Sequence, residues 1–129
     1  MIVRDVCHSI LIKGVFDVQQ SEKILLSGKT ILNACPAFHG EELNHLGSAE
    51  MAARVGARSV SHLEFIGDEG IKALSDNEIV AIICPTTLYL LKLQSPPARK
   101  MIDQGAIVAV GSDYNPNAMC KTSLNVENL

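Results

Sequence analysis

A chain of 129 residues, 47% of them apolar and 19% charged, has enough aliphatic material to bury a core, which excludes a disordered segment and frames one domain or part of a larger one. The aromatic share is only 4% and there is no tryptophan, so that core rests on Ile, Leu, Val and Ala. A formal charge of -3 gives no electrostatic reason to expect a nucleic acid or an anionic membrane as partner.

In chain order, the N-terminal apolar runs are interrupted by Arg4, Asp5 and Lys13. That pattern supplies neither a secretory core nor the ~18 apolar residues that span a bilayer. Four cysteines (Cys7, Cys35, Cys84, Cys120) are scattered without a Cys-x-x-Cys pair, which reads as free thiols in a reducing compartment. A cytoplasmic location is the expectation. Residues 9–16 form an apolar piece. Residues 17–29 carry Val18, Ile24 and Leu25 near helical spacing, with Gly28 as a stop. Residues 31–42 read as extended, and 47–57 as an Ala-rich helix closed by Gly56. Residues 59–66 are β-like; 67–77 predict a helix with Asp68 as its N-cap. The run 78–85 is apolar and β-branched up to Pro85; 95–105 opens with Ser95 and two prolines, which suit a helix start. Residues 106–113 give a last buried strand.

Strands that are apolar on both faces and alternate with helices of about ten residues predict an α/β fold with a parallel sheet under flanking helices. The predicted strands start near residues 34, 58, 79 and 107, the beat of consecutive βα units. Residues 1–129 read as one domain.

In such a sheet, chemistry gathers where strands end and the following loops begin. Here the strand near 34 ends on His39, with Glu42 three residues on, and the strand near 58 ends on His62. The strand near 79 ends at Cys84-Pro85-Thr86-Thr87, and the last on Asp113. Singly, each has an ordinary explanation: a hydrogen-bonded histidine, a first-turn glutamate beside a helix dipole, an Asx turn before Asn115-Pro116. His8 and His45 have no strand-end placement and read as structural. Jointly, one period places His39, Glu42, His62 and Asp113 at one end of the sheet. Two imidazoles and two carboxylates suit metal-assisted hydrolysis, with zinc or iron as the natural ions. Glu42 is placed to move a proton to or from a substrate nitrogen.

The stretches "FHGEEL", "SVSHLE", "GDEGIKAL", "PTT", "ARKMIDQG" and, most specifically, "GSDYNPN" resemble the amidohydrolase superfamily and, within it, the imidazolonepropionases. The likeness runs from about Gly14 to Cys120. It implies the later part of a TIM-type (β/α) barrel, roughly strands 4/5 to 8, with one divalent zinc or iron ion held by His39 and Asp113. It implies further that His62 meets the attacking water or the substrate, that Glu42 meets the substrate's ring nitrogen, and that Asn115 and Asn117 belong to the loop holding a propionate. The implied reaction opens the ring of the small molecule 4-imidazolone-5-propanoate with water to give N-formimidoyl-L-glutamate. The family's His-x-His pair from its first strand, two further metal ligands, is absent from this sequence, and residues 121–129 diverge into a tail without family likeness. The expectation is a fragment with an incomplete site, inactive alone, whose open strand edges invite a second copy. Two alternatives are a non-catalytic truncated fragment acting as an interaction module and another mononuclear amidohydrolase such as a cyclic deaminase. "DYNPN" speaks against the deaminase.

Overall fold

The apolar runs near residues 34, 58, 79 and 107 become strands, and the strands lie side by side in the order of the sequence. The computed structural model describes the backbone of residues 6–10 and residues 16–113 in full. Strands β1 (Val6–Ile10), β2 (Cys35–Gly40), β3 (Ser59–His62), β4 (Val80–Ile83) and β5 (Val108–Val110) form one sheet ordered β1-β2-β3-β4-β5. Every pairing is parallel, with Ile10 beside His39, His39 beside Ser61, Ser61 beside Ile82 and Ile82 beside Ala109. Helices α1 (Val18–Leu32), α2 (Ser48–Val55) and α3 (Asp68–Asp76) carry the chain between successive strands, and α4 (Pro85–Leu91) and α5 (Ala98–Asp103) share the last connection. This is an α/β arrangement of consecutive βα units, one arc of a TIM-type barrel.

One face of the sheet is sealed by the helices. Phe38, Val60 and Ala81 point into a core with Leu25, Met51, Val55, Leu63, Ile71, Leu74 and Met101, all at most 1% exposed. The other face carries Cys35, Ala37, His39, Ser59, Ser61, Val80 and Ile82, alternate residues that are only partly buried. Gly40, where β2 ends, has no room for a side chain: a Cβ there would meet Ser48 Oγ and Val60 Cγ1. No helix among the described residues is long and apolar enough to cross a membrane.

Local chemistry moves several predicted boundaries. Helix α1 opens on a capping box, Gln20 N donating to Asp17 Oδ1 at 2.7 Å and Asp17 N to Gln20 Oε1 at 3.1 Å. It then runs through Gly28 and stops at Asn33, which takes the left-handed φ of 52° and bonds back to the Gly28 carbonyl. A single glycine costs a helix about 1 kcal/mol, which packing overrides. Asp68 is not the N-cap of α3; Gly67 is, and Asp68 begins the first turn, where its charge faces the helix dipole and pairs with Lys100. Pro85 does more than end a strand, since it opens α4, a helix the apolar pattern did not predict. Helix α5 begins after the prolines, at Ala98, with Pro97 as its cap. The first strand lies at Val6–Ile10, earlier than expected, and residues 11–15 fall outside the described residues. The same holds for residues 114–129, which include Asn115, Asn117, Cys120 and the divergent tail.

Candidate metal centre

Three strand ends bring three donors together. His39 closes on the end of β2, His62 is the last residue of β3, and Asp113 follows β5. One ligand atom from each lies within 4.8 Å of those of the other two. His39 Nδ1 and His62 Nε2 are 2.5 Å apart, and the rings stack with centroids 4.6 Å apart and planes 28° from parallel. Two ring nitrogens at that separation share one proton, one donating and the other accepting.

His62 reaches this place by leaving the strand pattern. Strict alternation would put it on the core side with Val60; instead its ring lies on that of His39, and the backbone turns at His62 (φ 79°) and Leu63 (φ 70°). Left-handed φ values on two successive non-glycine residues are costly and persist only where the surroundings fix them. Here Leu63 N donates to Gly40 O at 3.1 Å and Leu63 itself is buried in the core.

The acids around the pair have different tasks. Glu42 stands with Oε2 3.8 Å from His62 Nε2. Burial, and then the nearby charge of Asp113, raise its pKa above that of an ordinary glutamate. Its neighbour Glu41 is fully buried and builds the loop: Leu46 N and Ser48 N donate to its two oxygens at 2.8 and 2.7 Å. His45 lies beside this carboxylate, its Nδ1 3.3 Å from Glu41 Oε2 and 3.1 Å from Phe65 O, so it serves the loop and stays outside the donor cluster. Asp113 Oδ2 accepts a 2.5 Å hydrogen bond from the Thr87 hydroxyl.

Two further buried groups stand at the same end: Glu64, which was not singled out from sequence, and Cys84, expected as a free thiol at a strand end. Glu64 is 2% exposed, and neither carboxyl oxygen has a hydrogen-bond partner among the described residues. Burial above all, with the charges of Glu42 and Asp113, pushes its pKa up to about 7. Cys84, a free thiol, is pushed up to about 12 by burial and by Asp113 and Glu64, so it stays protonated and inert. Nothing in "SHLEF" marks Glu64 as buried; only its place two residues after a strand-end histidine could have drawn attention to it. Asn115 and Asn117 lie outside the described residues.

The chain is 50% identical over 108 residues to a Nematostella vectensis protein named "Probable imidazolonepropionase", a match covering 84% of this chain and 25% of the relative. A Homo sapiens protein of the same name is 50% identical over 111 residues, with the same shares covered. A third, from Dictyostelium discoideum, is 45% identical over 117 residues, covering 91% of this chain and 27% of its own length. The chain therefore spans about a quarter of the length of the relatives it matches. No family model matches it. Among solved structures, it is similar to guanine deaminase from C. acetobutylicum, determined with guanine bound in the active site. That likeness has a TM-score of 0.61 over 80% of this chain and 28% of the other, and at 19% identity it is a likeness of fold.

Proposed function

We propose that this chain, similar to imidazolonepropionases over 84% of its length, contributes part of the active site of an imidazolonepropionase-like, metal-dependent hydrolase. The observation that carries the reading is the convergence of His39, His62 and Asp113 from three separate strand ends to within 4.8 Å. Two imidazoles and a carboxylate are an ordinary donor set for zinc or iron, so the residues present fit such an ion. His39 and Asp113 are the ligands in this reading. A divalent ion bound there would acidify a water molecule and polarise the substrate's ring carbonyl.

The chain's own residues do the rest. Asp113 accepts a proton from the attacking water, and His62 holds that water or the carbonyl oxygen in line. Glu42, whose pKa is raised by burial, keeps its proton to higher pH than a surface glutamate and can give it to the ring nitrogen as the C–N bond breaks. Water adds to the carbonyl carbon, the nitrogen leaves protonated, and the imidazolone ring of 4-imidazolone-5-propanoate opens to N-formimidoyl-L-glutamate. By the resemblance, the loop that contains Asn115 and Asn117 would hold the propionate. The sequence has no His-x-His pair, which by the resemblance supplies two further ligands, so the reading is of one part of a site.

A graft tests this. With residues 14–120 replacing the matching quarter of a ring-opening relative, the hybrid should open the imidazolone ring, and Asp113→Asn in it should lower turnover by several orders of magnitude. A graft variant with Asp113→Asn and near-normal turnover would show that Asp113 is only a turn former.

A further inference from the structure

We propose that Thr87 is a positioning residue of the cation site: its hydroxyl holds the Asp113 carboxylate in the pose in which Asp113 can share a divalent ion with His39. The inference rests on Asp113 being a metal ligand, and it goes beyond that reading by assigning a residue that touches neither metal nor substrate. Thr87 is the third residue of α4 and is 4% exposed. Among its described hydrogen bonds the hydroxyl has one acceptor, Asp113 Oδ2 at 2.5 Å, 26 residues further along the chain.

The loop that carries Asp113 is thus tied to the β4–α4 connection at two points. Gly111 N donates to Ile83 O at 2.9 Å, and Thr87 donates to the carboxylate itself. Asp113 sits at φ 46°, a left-handed conformation that a non-glycine residue holds only when its surroundings fix it. The hydroxyl bond supplies that constraint at the functional end of the side chain. It fixes one oxygen and with it the plane of the carboxylate, whose ligand atom lies within 4.8 Å of those of His39 and His62.

The identity of the donor matters as well. Asp113 shares its neighbourhood with Glu42 and Glu64, and its charge bears on both. A lysine or arginine donor would hold the carboxylate but repel an incoming ion. A threonine hydroxyl holds it without charge, and the β-branch keeps χ1 stiff, so little freedom is lost on forming the bond.

The test is titration of the full chain with Co²⁺ alone, followed by the cobalt visible absorption band. Native chain, Thr87→Val, Thr87→Ser and Asp113→Asn are compared, with far-UV circular dichroism to establish that each is folded. Removing a group that orients a metal ligand weakens binding by on the order of tenfold, which is the loss expected for Thr87→Val. Thr87→Ser, which keeps the hydroxyl, should stay within about threefold of the native chain, and Asp113→Asn should lose the band. If Thr87→Val binds as tightly as the native chain while Asp113→Asn does not, the role of Thr87 is refuted and the site stands. If Asp113→Asn binds Co²⁺ like the native chain, or the native chain does not bind it, the site reading falls and the role of Thr87 with it. A second measurement needs no variant of Thr87. In native chain with ¹³C-methyl threonine, the Thr87 methyl should take a large paramagnetic shift from Co²⁺ that vanishes in Asp113→Asn; a methyl that stays put overturns the proposal.

Discussion

The two faces of the sheet are built to different standards. On the helix side, Phe38, Val60 and Ala81 are at most 1% exposed and lock into a continuous aliphatic core. On the other side, Ala37, Ser59, Ser61, Val80 and Ile82 are small or medium residues left half-covered. The first face holds the arc together, and the second is the lining that a closed barrel would fill with side chains from its opposite wall. The donor cluster sits at the rim where the two meet. Its geometry therefore depends on the sealed face, which the chain supplies itself, more than on the open one.

Substitutions can break or sharpen that contrast. Phe38→Ala removes the largest buried side chain of the sealed face and should destabilise the chain by about 3–5 kcal/mol in urea unfolding, whereas Ser59→Ala on the open face should change it by less than about 0.5 kcal/mol. Equal losses at the two positions would show that the open face is covered after all.

Glu64 gives the next effect and a pH signature. Its folded pKa is raised to about 7 from 4.5, so between those values the folded state binds more protons than the unfolded chain. Stability should then fall as pH rises through that window and stay low above it. Glu64→Gln removes the penalty and should gain about 1–3 kcal/mol over the native chain at pH 8, the gain shrinking toward pH 5. Urea midpoints of the two chains at pH 5 and pH 8 check this; a difference that does not change with pH would mean that Glu64 is ionised without cost. Smallest is the capping box at the outer end of α1: Asp17→Ala should cost about 1 kcal/mol in thermal unfolding, without affecting the donor cluster.

Strand positions were legible because a buried parallel strand needs an apolar run bounded by breakers, and such runs are visible. The predicted starts near 58, 79 and 107 fall one residue before those of β3, β4 and β5. Helix α4 was not legible, because "PTTLYLL" has no amphipathic period and is short; it exists because Pro85 pre-sets its first turn and Lys92 closes it at φ 53°. Asp68 and Gly28 misled for a related reason. Cap and stop preferences are weak, and the neighbours Gly67 and Asn33 fill those roles. At the site, strand-end placement alone marks His39, His62 and Asp113. Spacing from His39 singled out Glu42, and the fold adds that the adjacent Glu41, at φ 54°, turns inward to cap the loop. Strand-end placement could not show that Thr87 reaches across 26 residues to Asp113, a contact set by the neighbouring places of β4 and β5.

The central claim is that residues from three strand ends make one cation site. Its most direct test is a Zn²⁺ titration of the chain watched through the ring ¹⁵N resonances of its four histidines. The account predicts that His39 and His62 shift together with one midpoint, that His45 does not move with them, and that Asp113→Asn weakens both shifts at once. Shifts led by His45 or His8, or His39 and His62 responding independently, would contradict it.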